Sequence, residues 1–187
     1  MGGLVAFEMA RQLTAQGETV ALVALLDVMA PQGRHPSSPD AGGLAGAFAR
    51  DWSRLSGWND PAGEDWGETE DEVLSALLAR FHAAGTVPAD LDLSGLRILF
   101  GIFSANYQAL HGYTARPYAG DLVVFRAADR DGADASLGWR ELAERGVEVH
   151  AVPGDHYSLI HEPQAETLAE LLSDCIERIC RDPEKTP

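Results

Sequence analysis

Residues 1–27, MGGLVAFEMARQLTAQGETVALVALLD, decide the fold class. The glycine pair Gly2-Gly3 opens a helical pattern over 3–16, in which Leu4, Val5, Phe7, Met9 and Leu13 recur among small and polar residues. Gly17 is its natural stop. The run TVALVALLD (19–27) then continues without a polar break and ends in an acid. An uninterrupted apolar run of this kind reads as a strand covered on both faces, which predicts a parallel sheet. An α/β chain normally reaches such a glycine pair on leaving a buried strand, and no strand pattern stands before Gly2.

Outward from that stretch the chain alternates between elements. Pro31 through Gly43 is rich in Pro, Ser, Gly and Asp and reads as a loop. Leu44, Phe48, Trp52 and Leu55 lie on one helical face, and turn formers and acids in 58–72 break it. A second helix carries Val73, Leu74, Leu77, Leu78 and Phe81; a third, over 94–112, carries Leu96, Leu99, Phe100, Phe103, Tyr107 and Leu110. Leu122–Phe125 and 147–156 read as strands, 137–146 as a short helix, and the segment after Pro163 as a long helix. The tail from Arg181 should fray. The order describes an α/β domain with a helical insertion.

Composition narrows the function. The chain has 187 residues, enough for one domain with a core, and a formal net charge of -15 from 14 basic and 29 acidic residues. That balance repels phosphate backbones and anionic lipid, so neither nucleic acid nor a membrane surface is an expected partner. No signal-peptide pattern and no membrane-length apolar run is present, and a soluble, cytoplasmic protein is expected. Cys175 and Cys180 stand five apart in one helical segment, on different faces, where they do not readily bridge. His35 falls in the loop leading to the insertion, His82 and His111 on helices, His150 on a strand and His161 at a helix start. Their spacing to cysteines and acids shows no metal-ligand pattern.

Two readings of the opening compete. A glycine pair, a helix and a strand ending in an acid describe a dinucleotide-binding unit, with Gly2 and Gly3 at a pyrophosphate and Asp27 on a ribose hydroxyl. Leu4 to Phe7 depart from its G-x-G-x-x-G fingerprint. The other reading is the nucleophile elbow, G-x-S-x-G, with Met1 and Gly2 as its last two residues and the serine immediately before Met1. Close crossing of strand and helix requires small residues there. The acid and then the histidine should follow in chain order. Asp27 ends the next strand, and His156 lies in VPGDHYSLIHEP (152–163), the loop after the last one. Asp129 in FRAADRDG (125–132) is the alternative acid, at the end of a later strand.

GGLVAFEMARQLTAQGETVALVALLD, YQALHGYTARPYAGDLVVFRA and GWRELAERGVEVHAVPGDHYSLIHEP together resemble the C-terminal portion of the thioesterase domains that end nonribosomal peptide and polyketide synthases. The resemblance spans nearly the whole chain and implies a truncated α/β-hydrolase fold with a lid insertion at about 35–115. It implies transfer of an acyl or peptidyl chain from the phosphopantetheine of a carrier protein to a serine, then release by hydrolysis or macrocyclisation. No further cofactor is implied; the implied partners are the carrier protein and upstream synthase domains. It makes Asp27 the triad acid, His156 the base and the Met1 N–H an oxyanion donor, with Phe48, Trp52, Phe100 and Phe103 as lid or channel residues. The chain lacks the elbow serine, so by itself it is expected to be inactive, at best a module binding a carrier protein or acyl chain. The apolar strand before Asp27 is then expected to be an exposed edge.

Overall fold

The computed structural model describes residues 1–31, 41–56, 69–132 and 134–181. The opening helix is α1 (Gly2–Ala15). The Gly17 N–H donates to Thr14 O and the Glu18 N–H to Leu13 O, both at 3.0 Å, with Gly17 at φ 84°. Those two bonds and a left-handed glycine form a Schellman stop.

The apolar run that follows yields β1 (Ala24–Leu26), a shorter strand than the sequence predicts. Register explains the difference. β1 pairs in parallel with β2 (Asp121–Ala127), Ala24 opposite Val123, so the first residue of β2 falls opposite Leu22 and residues 19–21 have no ladder partner there. β2 pairs in parallel with β3 (Gly146–Val152), giving the order β1-β2-β3. Among the described residues β1 is an edge strand. Central β2 is buried on both faces, as its apolar sequence requires. Val123, Phe125 and Ala127 join Val152, Leu159, Leu168 and Cys175 in one core, part of it supplied by α5 (Gln164–Arg181). Leu122 and Val124 alternate to the opposite face.

Aromatic packing secures α1. Phe7 lies 4.8 Å from Trp139 and 6.0 Å from Tyr118, ring centre to ring centre. The buried Trp139 donates through Nε1 to Val28 O at 2.6 Å. The short helix expected over 137–146 is a single 3-10 turn, Trp139–Glu141. Gly138 at φ 85° starts it, and the chain then turns to bond with Tyr118, whose N–H donates to Leu142 O and whose carbonyl accepts from the Glu144 N–H, which ends the helical run.

The chain forms two compact units, Met1–Arg34 with Tyr113–Pro187, and His35–Gly112. The second contains α2 (Ala41–Ser56), α3 (Glu70–Ala84) and α4 (Leu93–Gly112). α2 begins inside the stretch expected to be loop. Thr69 and Glu72 form a capping box that starts α3, and left-handed Gly85 ends it. The interior of this unit is Phe48, Leu74, Leu77, Phe81, Leu96 and Phe100. His35, most of the turn-rich 58–72 segment and the tail after Arg181 lie outside the described residues.

Candidate active site

Two segments build the site, and each is held by its own backbone chemistry. The first is the end of β1. The Asp27 N–H continues the ladder by donating to Phe125 O at 2.7 Å. Its φ of 48° then turns the chain away in the left-handed region, which aspartate enters more readily than most residues. The side chain is thereby directed at the end of β2, where Ala127 N–H donates to Oδ1 at 3.0 Å. Asp27 is 1% exposed.

The second segment is the loop after β3. Gly154 at φ 89° follows Pro153 and reverses the chain; a Cβ there would stand 2.5 Å from Ser158 Oγ. The Asp155 carboxylate accepts from the N–H groups of Tyr157 and Ser158 and from Ser158 Oγ, at 2.8–2.9 Å. Those bonds hold its carboxyl below the usual carboxylate range, the Ser158 amide contributing most. Buried Leu159 anchors the loop in the core of the sheet unit. His156 stands between these fixed points. Its Nδ1 lies 2.9 Å from Asp27 Oδ2. A carboxylate can only accept, so Nδ1 carries a proton and Nε2 lies on the side of the ring away from Asp27.

A third residue completes the arrangement. Arg130, in the turn after β2, donates from Nε to Asp27 Oδ1 at 2.9 Å and from an Nη to Oδ2 at 2.6 Å. The same Nη reaches Asp27 O at 3.2 Å. Burial by itself would push the Asp27 carboxyl up; the hydrogen bonds from Arg130, Ala127 and His156 outweigh it and hold the pKa below its ordinary value. Asp27 is therefore a buried carboxylate with both oxygens engaged.

Of the residues singled out by sequence, the structure brings together Asp27 and His156, 129 positions apart. Asp129 is exposed, its backbone N–H bonded to Gly154 O at 3.1 Å, and it is not the acid hydrogen-bonded to His156. Met1 is the N-cap of α1, its carbonyl accepting from Leu4 and Val5. Gly3 passes so close to the segment after Asp27 that a Cβ would lie 2.6 Å from Val28 Cγ2, whereas Gly2 faces open space. The demand for a small residue falls on the second glycine of the pair. The dinucleotide reading needs a free acid at Asp27, and its engaged oxygens leave none. Phe48 and Phe100 are core residues of the helical unit, 5.6 Å apart, with half-buried Trp52 and Phe103 packed against them. Arg130 escaped the sequence reading. The signal available was a basic residue three positions beyond a strand that runs parallel to β1.

A buried acid bonded to a loop histidine at the carboxyl ends of parallel strands has the geometry that the acid and base of a hydrolase triad require. Residues 1–176 match the Thioesterase domain family. This chain belongs to the thioesterase family. Chondramide synthase cmdD of Chondromyces crocatus is 28% identical over 90% of the chain. A four-domain nonribosomal peptide synthetase, solved with AMP and glycine, superposes with a TM-score of 0.81 at 27% identity, over 92% of the chain. The Vlm2 thioesterase domain shares the fold, with a TM-score of 0.61, 20% identity and 92% coverage. The thioesterase chain spans 5% of the chondramide synthase, 14% of the four-domain synthetase and 62% of the Vlm2 domain structure.

Proposed function

We propose that this chain carries the acid and base of a thioesterase that releases acyl or peptidyl chains from the phosphopantetheine thioester of a carrier protein. The carrier protein and upstream synthase domains are its partners; its membership of the family and its similarity to multidomain synthases support that reading. The observation that carries it is the 2.9 Å bond between His156 Nδ1 and buried, arginine-held Asp27.

In this reading His156 Nε2 takes the proton of a serine hydroxyl as the oxygen attacks the thioester carbon. Asp27 fixes the tautomer and balances the imidazolium that forms. The imidazolium then returns the proton to the departing phosphopantetheine thiol. A water, or a nucleophile of the acyl chain itself, reverses the sequence and frees the product by hydrolysis or macrocyclisation. The serine stands directly before Met1, whose N–H donates to the oxyanion.

The test compares residues 1–187 with a longer form carrying the upstream residues, both assayed for release of an acyl group from a carrier protein. Residues 1–187 turn over no faster than their own His156→Ala variant. In the longer form, His156→Ala loses on the order of 10⁶ in kcat and Asp27→Ala on the order of 10⁴, while Asp129→Ala stays near wild type. Turnover by residues 1–187 that disappears with His156→Ala overturns the inactivity. Loss of turnover with Asp129→Ala alone overturns the acid assignment.

A further inference from the structure

The middle of β3 holds a second cluster of chemistry that the thioesterase reaction does not use. Glu148 and His150 are two apart on β3 and therefore on one face; α5 lays Cys175 against them. The three ligand atoms lie within 4.8 Å of one another. Linear spacing gave no metal pattern; the fold assembles one because strand and helix residues 25 positions apart meet across the β3–α5 packing.

The disposition of the atoms tells a metal site from a proton relay. His150 Nε2 lies 2.8 Å from Glu148 Oε1 and 3.6 Å from Cys175 Sγ. A Cys-His-acid relay needs the acid and the thiol on opposite ring nitrogens. Here one nitrogen faces both, so acid, imidazole and thiol converge on a single point. Tetrahedral zinc, with bonds of about 2.3 Å to sulfur and about 2.05 Å to nitrogen, places those two ligands about 3.6 Å apart. The separation present is 3.6 Å. Stacking of the His150 ring on Phe125, centres 5.4 Å apart, fixes its plane. The Glu148 oxygen, 39% exposed as a side chain, has room to open outward from its direct bond to the imidazole.

One cation already stands at this point. An Arg178 Nη bonds both Glu148 oxygens at 2.9 and 3.0 Å and comes within 3.4 Å of Cys175 Sγ. Its side chain is 58% exposed and can leave for solvent. We propose that Glu148, His150 and Cys175 form a binding site for a borderline-soft divalent ion of the zinc class, with Arg178 holding the place of the ion when none is bound. Binding releases the Cys175 thiol proton to solvent, leaves the ring proton of neutral His150 on Nδ1 so that Nε2 can ligate, and expels the guanidinium, with solvent as the fourth ligand. The ion ties α5 to the middle of β3, the strand that leads to His156.

Cobalt(II) added to residues 1–187 in a Cys180→Ser background, which leaves one thiol, tests the site. A thiolate-to-cobalt charge-transfer band is expected in the near ultraviolet at one equivalent, absent in Cys175→Ser. Glu148→Gln, at a partly exposed position that leaves the core intact, binds at least about tenfold more weakly. Arg178→Met binds about fivefold more tightly, because the competing ion pair is gone. Zinc at saturating excess raises the melting temperature of the parent and leaves that of Cys175→Ser unchanged. Absence of the band in the parent overturns the proposal, as does a band that survives Cys175→Ser. Unchanged affinity in both Glu148→Gln and Arg178→Met overturns the assigned ligand and competitor.

Discussion

Asp27 shows how much chemistry one residue can collect. It ends a strand, adopts a left-handed backbone, accepts an amide from the neighbouring strand and holds both an arginine and a histidine. Asp27 was legible as a candidate acid only in company, because a carboxylate at a strand end is common and gains meaning from the histidine that follows it in chain order. Its arginine was not, because Arg130 lies 103 positions away and reaches Asp27 through the parallel pairing of β1 with β2. Arg130→Met removes the main partner of a buried charge; since the guanidinium is a quarter exposed, the expected loss is about 2–4 kcal/mol in urea unfolding at pH 7. The Asp27 pKa is lower folded than unfolded, so this stabilisation is complete above the ordinary carboxylate range and fades as pH falls through the folded value. The gap between variant and wild type should therefore close in acid, below the ordinary carboxylate range. A gap that persists there would mean that Arg130 acts through packing.

At the scale of elements, the start of α1 and the segment after β1 constrain each other. Gly3 admits Val28 because it has no Cβ; alanine there would meet Val28 Cγ2 at 2.6 Å and Cβ at 3.1 Å. A β-branched side chain has little freedom to move aside. Gly3→Ala is expected to cost about 1–2 kcal/mol by thermal unfolding, overpacking exceeding the gain in helix propensity. Adding Val28→Ala should recover more than half of that cost, a coupling that a double-mutant cycle reads directly. Additive effects would place the constraint elsewhere. Helix α1 also binds to the returning chain: Tyr113 OH donates to Glu8 at 2.6 Å, beside Arg11 and Gln12. The Arg11 hydrogen bonds lead in bringing the Glu8 carboxyl down to about 2, and burial, followed by the Glu8 bond, pushes the Tyr113 phenol up to about 12. That pair could not be read from sequence, since nothing in a helix pattern says which distant tyrosine its polar face meets.

Over the whole molecule, acidity and exposed apolar surface oppose each other. Val5, Met9 and Leu13 lie four apart along α1 at 50%, 58% and 40% exposure, and Leu26 on β1 is 37% exposed. An edge strand and an apolar helix stripe favour association; a net charge of -15 resists it. Salt shortens the reach of that repulsion to about 10 Å at 0.1 M and about 3 Å at 1 M. Light scattering from residues 1–187 should accordingly show self-association that grows with sodium chloride, and Val5→Lys with Met9→Glu should suppress it. Association that weakens with salt would put charge pairing in place of apolar contact. The sequence by itself determined the order of elements and the parallel character of the sheet, and it offered His156 with Asp27 or Asp129 for the candidate triad, because periodicity, glycine stops and strand ends are local properties of the chain. Only the tertiary structure decided the three-residue length of β1, the arginine on Asp27, the preference for Asp27 over Asp129 beside His156, and the meeting of Glu148, His150 and Cys175. Each of these depends on strand register or helix packing between residues far apart in sequence, and local patterns do not encode which partners such contacts bring together.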